Sequence, residues 1–343
     1  MKHLLNTLYV TTPGAYLCRE GETVIVRVEQ ETKIQVPFSA LEGIVCIGGA
    51  GFTPPLMEGC AEKGVSISFL SEQGRFMSRV SGPVSGNILL RKEQYRRADD
   101  PFKRMEIARA FVLGKIANCR TVVLRAARDN TNSDDAEAFR KCADYLQNVI
   151  DQTRRTSDID SIRGKEGEAG YAYFSVFDRL IVAQKDGFFF RERSRRPPLD
   201  NVNALLSFTY TLLAHDCTGA CEAVGLDPQA GFLHADRSGR PSLALDIMEE
   251  FRPFIADRIV LTLINRQQIK ANGFKTTESG AVMMSPETKK ELLKVYQERK
   301  HEELEHPFLG EKIAIGLLPY IQARLLARFL RGDLDGYPPF VWK

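Results

Sequence analysis

Residues 231–257 read GFLHADRSGRPSLALDIMEEFRPFIAD, and the rest of the chain takes its meaning from this stretch. Phe232 and Leu233 form an apolar pair running into His234. A short polar loop follows at 235–240, with Gly239 and Pro241 as turn signals. Ser242 can then cap a helix whose apolar face is Leu243, Leu245, Ile247 and Met248. Spacings of three and four place Asp246 beside Glu249 and Glu250 along one side of that helix. Neighbouring carboxylates repel by roughly 0.2–0.5 kcal/mol even in water, unless a cation sits between them. A histidine entering from the preceding loop completes a mixed nitrogen and oxygen set for a divalent metal. Taken singly, His234 also reads as a core histidine, and the three acids as a solvated helix face.

Working outward, the same helical period dominates the chain from Leu90 onward. Residues 101–128 form one long amphipathic run with Phe102, Met105, Ile107, Ala108, Phe111, Val112, Ile116 and Val123 on the buried side. A loop at 129–134 leads to a second helix at 135–153, and a third begins near Asp158. Asp200 is positioned to cap a further apolar helix beginning at Asn201. Strand signals are scarce from here to Arg331. The tail, Gly336 to Phe340, reads as a docked or frayed end.

Residues 1 to about 90 have a different character. TVIVRV at 23–28 is β-branched, KIQV at 33–36 alternates, and IVCI at 44–47 is continuously apolar. A short helix at 53–63 precedes VSISFL at 65–70, a tight turn at 71–74 and a strand at 75–80. Short strands with regular turns indicate a compact β unit with one helix. The run Gly48-Gly49-Ala50-Gly51 lacks the Gly-Lys-Ser/Thr ending of a phosphate loop and reads as a sharp turn. The fold class is therefore α+β with two domains. The β-rich domain covers 1–92, a basic linker 93–100 and an all-α domain 101–343. Arg91, Lys92, Arg96 and Arg97 give that junction its charge.

With 343 residues the chain exceeds what one core usually holds. It is 43% hydrophobic and 27% charged, which is ordinary globular composition and excludes a low-complexity or fibrous chain. The net charge of +3 is too small to imply a nucleic-acid partner, so local clusters must carry that claim. No leader pattern and no apolar span of the ~20 residues needed to cross a membrane is present, so no membrane role is expected. The seven cysteines are scattered without a CxxC pair; Cys217 and Cys221, four apart in a helix, read as buried thiols in a reducing cytoplasm.

Two further stretches carry chemistry. In RGKEGEAGYAYF at 163–174, Glu166 sits among glycines that each cost about 1 kcal/mol in a helix, so they admit close approach or tight packing. In FFFRERSRRPPLD at 188–200, Arg191, Arg193, Arg195 and Arg196 follow three aromatics. Arginine's fork matches phosphate oxygens, and an all-arginine cluster leans toward a nucleic-acid backbone. Arg163 joins these four as a candidate DNA-binding residue.

These blocks, with RSRRPPLDNVNALLSFTYTLL at 193–213 and GFLHADRSGRPSLALDIMEEFRPFIAD, resemble the CRISPR-associated endonuclease and integrase family, the first Cas protein. The likeness spans the chain, includes the strand and glycines at 44–49, and is nearest to the subtype I-C branch. It implies an N-terminal β-domain that dimerises and a C-terminal α-helical catalytic domain. It also implies a homodimer, assembled as a heterohexamer with the small partner "Cas two" on double-stranded DNA. The family's metal and catalytic positions carry over to Glu166, His234 and Glu249. Asp246 falls at a supporting position behind them. Glutamate and imidazole donors with open positions suit Mg²⁺ or Mn²⁺. The implied reaction is attack of a DNA 3′-hydroxyl on a phosphodiester of the CRISPR array, with hydrolysis when water attacks instead. A phosphoesterase of small substrates and a non-catalytic nucleic-acid scaffold are the alternatives.

Overall fold

The computed structural model describes residues 7–41, 43–72, 76–80, 82, 88–129 and 132–342. The chain divides into two compact units. The first comprises residues 1–85 together with Met284–His301, and the second Gly86–Met283 together with Glu302–Lys343.

The first unit is built from two four-stranded sheets. One contains β1 (Thr7–Val10), β5 (Gly43–Ile47), β7 (Ser66–Leu70) and β8 (Phe76–Val80) in that order. The other contains β4 (Glu31–Pro37), β3 (Thr23–Val28), β2 (Ala15–Glu20) and β6 (Ala50–Phe52). β5 pairs in parallel with both β1 and β7 and is buried along its whole length. A strand covered on both faces needs apolar residues at every position, which is why GIVCI does not alternate. From β3, Val24 and Val26 enter a core with Leu17, Ile44, Cys46, Leu56 and Ile67. Gly48 turns the chain at φ +92°, the sharp turn expected there, and no helix follows it directly. Helix α1 (Pro54–Lys63) is capped by Thr53. The turn expected at 71–74 and the strand start at Arg75 fall partly outside the described residues.

Two boundaries differ from the sequence expectation. The basic run read as a linker lies in helix α2 (Ile88–Asp99). Leu90 and Gln94 of this helix are buried, and Arg97 stacks over Phe329 at 4.6 Å. The helix at Pro286–His301 belongs to the first unit, although it lies far along the chain.

The second unit is helical around α3 (Pro101–Asp129), with α4 (Ser133–Arg155), α5 (Ile159–Ser175), α6 (Asn201–Val224), α7 (Ser242–Phe251), α8 (Arg258–Asn265) and, later in the chain, the helix Leu318–Leu330. Asp158 and Asp200 cap α5 and α6 through their carboxylates. Ser242 does not cap α7: its hydroxyl donates to the Ala235 carbonyl at 3.2 Å, and Pro241 precedes the helix. Phe102 is 71% exposed rather than buried, because it lies in the first turn of α3, ahead of the part that packs. Two short two-stranded ladders, Phe274–Thr276 with Val282–Met284 and Glu303–Glu305 with Lys312–Ala314, interrupt the helical pattern. Pro253 lacks an N–H and cannot continue the α-helical ladder, and residues Arg252–Asp257 widen into a π-turn directly after α7. Among the described residues no helix is long and apolar enough to cross a membrane.

Candidate active site

The second unit brings Glu166 of α5, His234 of the loop before α7 and Glu249 of α7 to one place. Each is delivered by a different device. Glu249 lies on the buried side of α7 and is 2% exposed. Glu166 and His234 are partly open, with side chains 30% and 19% exposed. The site is therefore a well with Glu249 at its floor.

His234 is held by Asp246. One Asp246 oxygen accepts the backbone N–H of Phe232 at 2.6 Å and of Leu233 at 3.0 Å. The other accepts the His234 N–H at 3.0 Å and meets His234 Nδ1 at 2.6 Å. A carboxylate only accepts, so the ring proton sits on Nδ1, and Nε2 faces Glu249 Oε1 at 3.9 Å with its lone pair. Asp246 thus has no oxygen left for a ligand, and it supports the histidine from behind. Gly231 is required here, since a Cβ would come within 2.9 Å of Asp246 Oδ2 and 2.7 Å of Ser242 Cβ. Arg163 Nε donates to the Leu233 carbonyl at 2.8 Å, and Arg104 Nε to the Phe232 carbonyl at 2.8 Å. The two arginines grip the histidine loop from α5 and α3.

Sequence reading missed Lys115 and Arg252. The Lys115 ammonium, 9% exposed, contacts Glu166 Oε1 and lies 2.7 Å from Glu249 Oε2. Arg252 Nη1 sits 3.0 Å from Glu249 Oε1. Burial works against the charge of Glu249, but Arg252 and Lys115 hold its carboxyl below the usual range. Burial likewise opposes the Lys115 charge, and Glu249 and Glu166 hold it above the usual ammonium value. The signal for Lys115 was present: it falls in register with the apolar stripe of Phe111, Val112 and Cys119. Glu250, next to Glu249, turns away from the well and is wholly buried. The expected row of three carboxylates on one side is in fact three separate roles.

Among the described residues no three His, Cys, Asp or Glu side chains close around a ready metal cage. The donor set still fits a hard divalent ion. Glu166 and Glu249 already share one cationic group, and the His234 lone pair faces the same carboxylate.

The arginine cluster divides. Arg191, Arg195 and Arg196 are exposed. Arg193 departs from the expected phosphate role. It turns inward, donating to Asn203 Oδ1 at 2.6 Å and Ser207 Oγ at 3.1 Å, with its guanidinium 5.3 Å from the Tyr210 ring centroid. Arg163 is likewise committed to Leu233 and, at 2.8 Å, to Asp160. Arg240 was not foreseen. Burial first, then the like charge of Arg237, lowers its pKa against the opposing pull of Asp246, with Arg196 and Arg163 adding to the lowering. At Gly164, Gly167 and Gly170 a Cβ would meet open space, so these glycines do not serve tight packing within the chain.

The model of the family described as CRISPR associated protein Cas1 matches residues 8–298. A "CRISPR-associated endonuclease Cas1 1" of Chlorobaculum tepidum is 53% identical over 343 residues, all of both chains. Among solved structures, a casposase bound to integration product superposes with a TM-score of 0.83 at 22% identity, covering 98% of this chain and 94% of that one. A Cas6-RT-Cas1–Cas2 complex superposes with a TM-score of 0.82 at 21% identity, covering 98% of this chain and 36% of that chain. Those two likenesses concern the fold; the family match and the full-length relative concern descent, and by them the chain belongs to the CRISPR-associated Cas1 family.

Proposed function

We propose that this chain is the catalyst of CRISPR adaptation, an endonuclease and integrase that joins captured DNA to the array, with Glu166, His234 and Glu249 as its reactive centre. The observation that carries the residue assignment is the convergence of two carboxylates and an oriented imidazole nitrogen on one half-open well. Glu166, Glu249 and His234 would hold Mg²⁺ or Mn²⁺. When bound, that ion supplies Lewis-acid polarisation of the phosphate and a lowered pKa for the attacking hydroxyl. Asp246 keeps the His234 ring in the one tautomer that can ligate. Arg195, Arg196 and Arg191, with Arg237 and Arg240, grip backbone phosphates on either side and carry no base information. A DNA 3′-hydroxyl gives its proton to solvent as its oxygen bonds to the target phosphorus and the P–O bond of the repeat breaks, and the displaced strand leaves with that oxygen and takes up a proton from solvent. With water as attacker the same step is cleavage. The open glycine face of α5 lets the DNA backbone come close to Glu166.

The solved Cas6-RT-Cas1–Cas2 complex of a fold relative supports Cas2 as the partner here; a homodimer of this chain within a heterohexamer rests on the likeness of the sequence blocks alone. The β-rich unit supplies the dimer interface: in the single chain Phe76 and Met77 of the edge strand β8 are exposed, as is Ile34 of β4. The likeness of the three sequence blocks supports assignment to subtype I-C.

A strand-transfer assay with purified chain, its Cas2 partner and a supercoiled repeat-bearing plasmid tests the reading. Metal-dependent joining that His234→Ala abolishes is expected. Binding without joining or cutting at any metal concentration identifies a scaffold. Hydrolysis confined to small phosphoesters identifies a phosphoesterase.

A further inference from the structure

Glu249 and Glu250 are consecutive on α7, and the helix turns about 100° between them. Glu249 enters the well. Glu250 faces away from it and is held by the C-terminal tail. Tyr337 Oη donates to Glu250 Oε1 at 2.6 Å and the Phe340 N–H donates to Oε2 at 2.6 Å, joined by Gln322 Nε2 at 2.9 Å.

α3 is held in the same way. Asn118 lies one turn beyond Lys115. Its amide donates to the Glu250 carbonyl at 2.7 Å and the Phe340 carbonyl at 2.9 Å, and its oxygen accepts the Trp342 N–H at 2.7 Å. Gly114, also beside Lys115, admits the tail: a Cβ there would lie 3.0 Å from Pro339 Cβ and 3.2 Å from Glu250 Cγ. Phe340 packs against Phe251 and Phe254, and Arg125 lies 3.7 Å over the Trp342 ring. A tail that only covered apolar surface would not need to form hydrogen bonds with both helices at the residues flanking the site.

We propose that the tail, residues 337–342, is a positioning element of the active site: by tying α3 to α7 through Asn118 and Glu250, it keeps Glu249 in register with Lys115 and Glu166 and so sets turnover. This rests on the assignment of Glu166, His234 and Glu249 to the chemistry. A misplacement of about 1 Å at a reacting centre costs on the order of 100-fold in rate. The tail therefore acts on rate and on metal loading, not on DNA affinity.

Trp342 is the one tryptophan in the chain, so its fluorescence reports whether the tail is seated. The experiment compares full-length wild type with Tyr337→Phe and Asn118→Ala, each checked for folding by circular dichroism. Four quantities are read: Trp emission, Mn²⁺ binding by electron paramagnetic resonance, DNA affinity by anisotropy without metal, and single-turnover cleavage of a branched duplex. The expected result is red-shifted emission, weaker Mn²⁺ binding and a rate at least tenfold lower, with DNA affinity within twofold. Red-shifted emission with wild-type rate and Mn²⁺ binding overturns the proposal. Should these variants fail to fold, Gly114→Ala, which crowds the seam and removes no hydrogen bond, is read by the same criteria. Glu249→Gln separates the two claims. If it cuts DNA normally, the site assignment fails and the proposal with it; if it is inactive while variants with an unseated tail are not, the positioning claim alone fails.

Discussion

Lys115 Nζ lies 2.7 Å from Glu249 Oε2 and also contacts Glu166, so the two acids of the site are bridged by the protein's own cation. Without that ammonium, Arg252 is the closest cation left to Glu249. Breaking a buried pair by deleting one partner costs roughly 3–5 kcal/mol. Lys115→Met is therefore expected to lower the melting temperature in chelator, and added Mn²⁺ is expected to recover more of it than in wild type. Thermal unfolding with and without Mn²⁺ checks this; equal melting temperatures in chelator would remove Lys115 from the electrostatics of the well.

Asp246 works through His234. Asp246→Asn leaves a donor where Nδ1–H and three backbone N–H groups need an acceptor. Loss of such an outer partner lowers metal affinity or activity by about 10–100-fold. A Mn²⁺ titration of cleavage should show a higher half-saturating concentration with DNA binding intact. An unchanged titration would mean that the ring is oriented by something else.

The arginines of the loop separate by exposure. Replacing Arg195 and Arg196 by alanine should lower the slope of log affinity against log salt by about 0.9 for each phosphate that is no longer neutralised. Arg193→Ala should leave that slope alone and destabilise the fold, because its guanidinium is bonded to Asn203 and Ser207. Anisotropy over a salt series, beside a melting curve, distinguishes the two. A slope that falls only with Arg193→Ala would reverse the assignment.

The thiols provide a test that needs no DNA. Burial pushes the Cys46 thiol up to about 12, and Cys60 and Cys142 up to about 11. The thiolate is the reactive form, and a raised pKa leaves these groups protonated at pH 8. Cys18 alone is partly exposed. Iodoacetamide at pH 8 should modify the folded chain at Cys18 and spare the other six until denaturant is added; early labelling of Cys46 would show that the β-rich core opens.

The sequence by itself determined the β-rich start and the helical remainder, the apolar stripe of α3, the caps at Asp158 and Asp200, and the three blocks holding Glu166, His234 and Glu249. Those features are local: a period of two or 3.6 residues, a capping side chain or a contiguous motif acts within a few residues of chain. The tertiary structure decided how each polar residue is used. Asp246, Glu249 and Glu250 share one spacing pattern, yet one orients a histidine, one lines the well and one holds the tail. Arg193 and Arg195 share one loop, yet one turns inward and one faces out. Lys115 stands out on the apolar stripe of α3, but its partners are known only once α5 and α7 bring two carboxylates to it from 51 residues away and further. Charge and hydrogen-bond partners are long-range properties of packed helices, and no pattern in the neighbouring residues records which partner burial will supply.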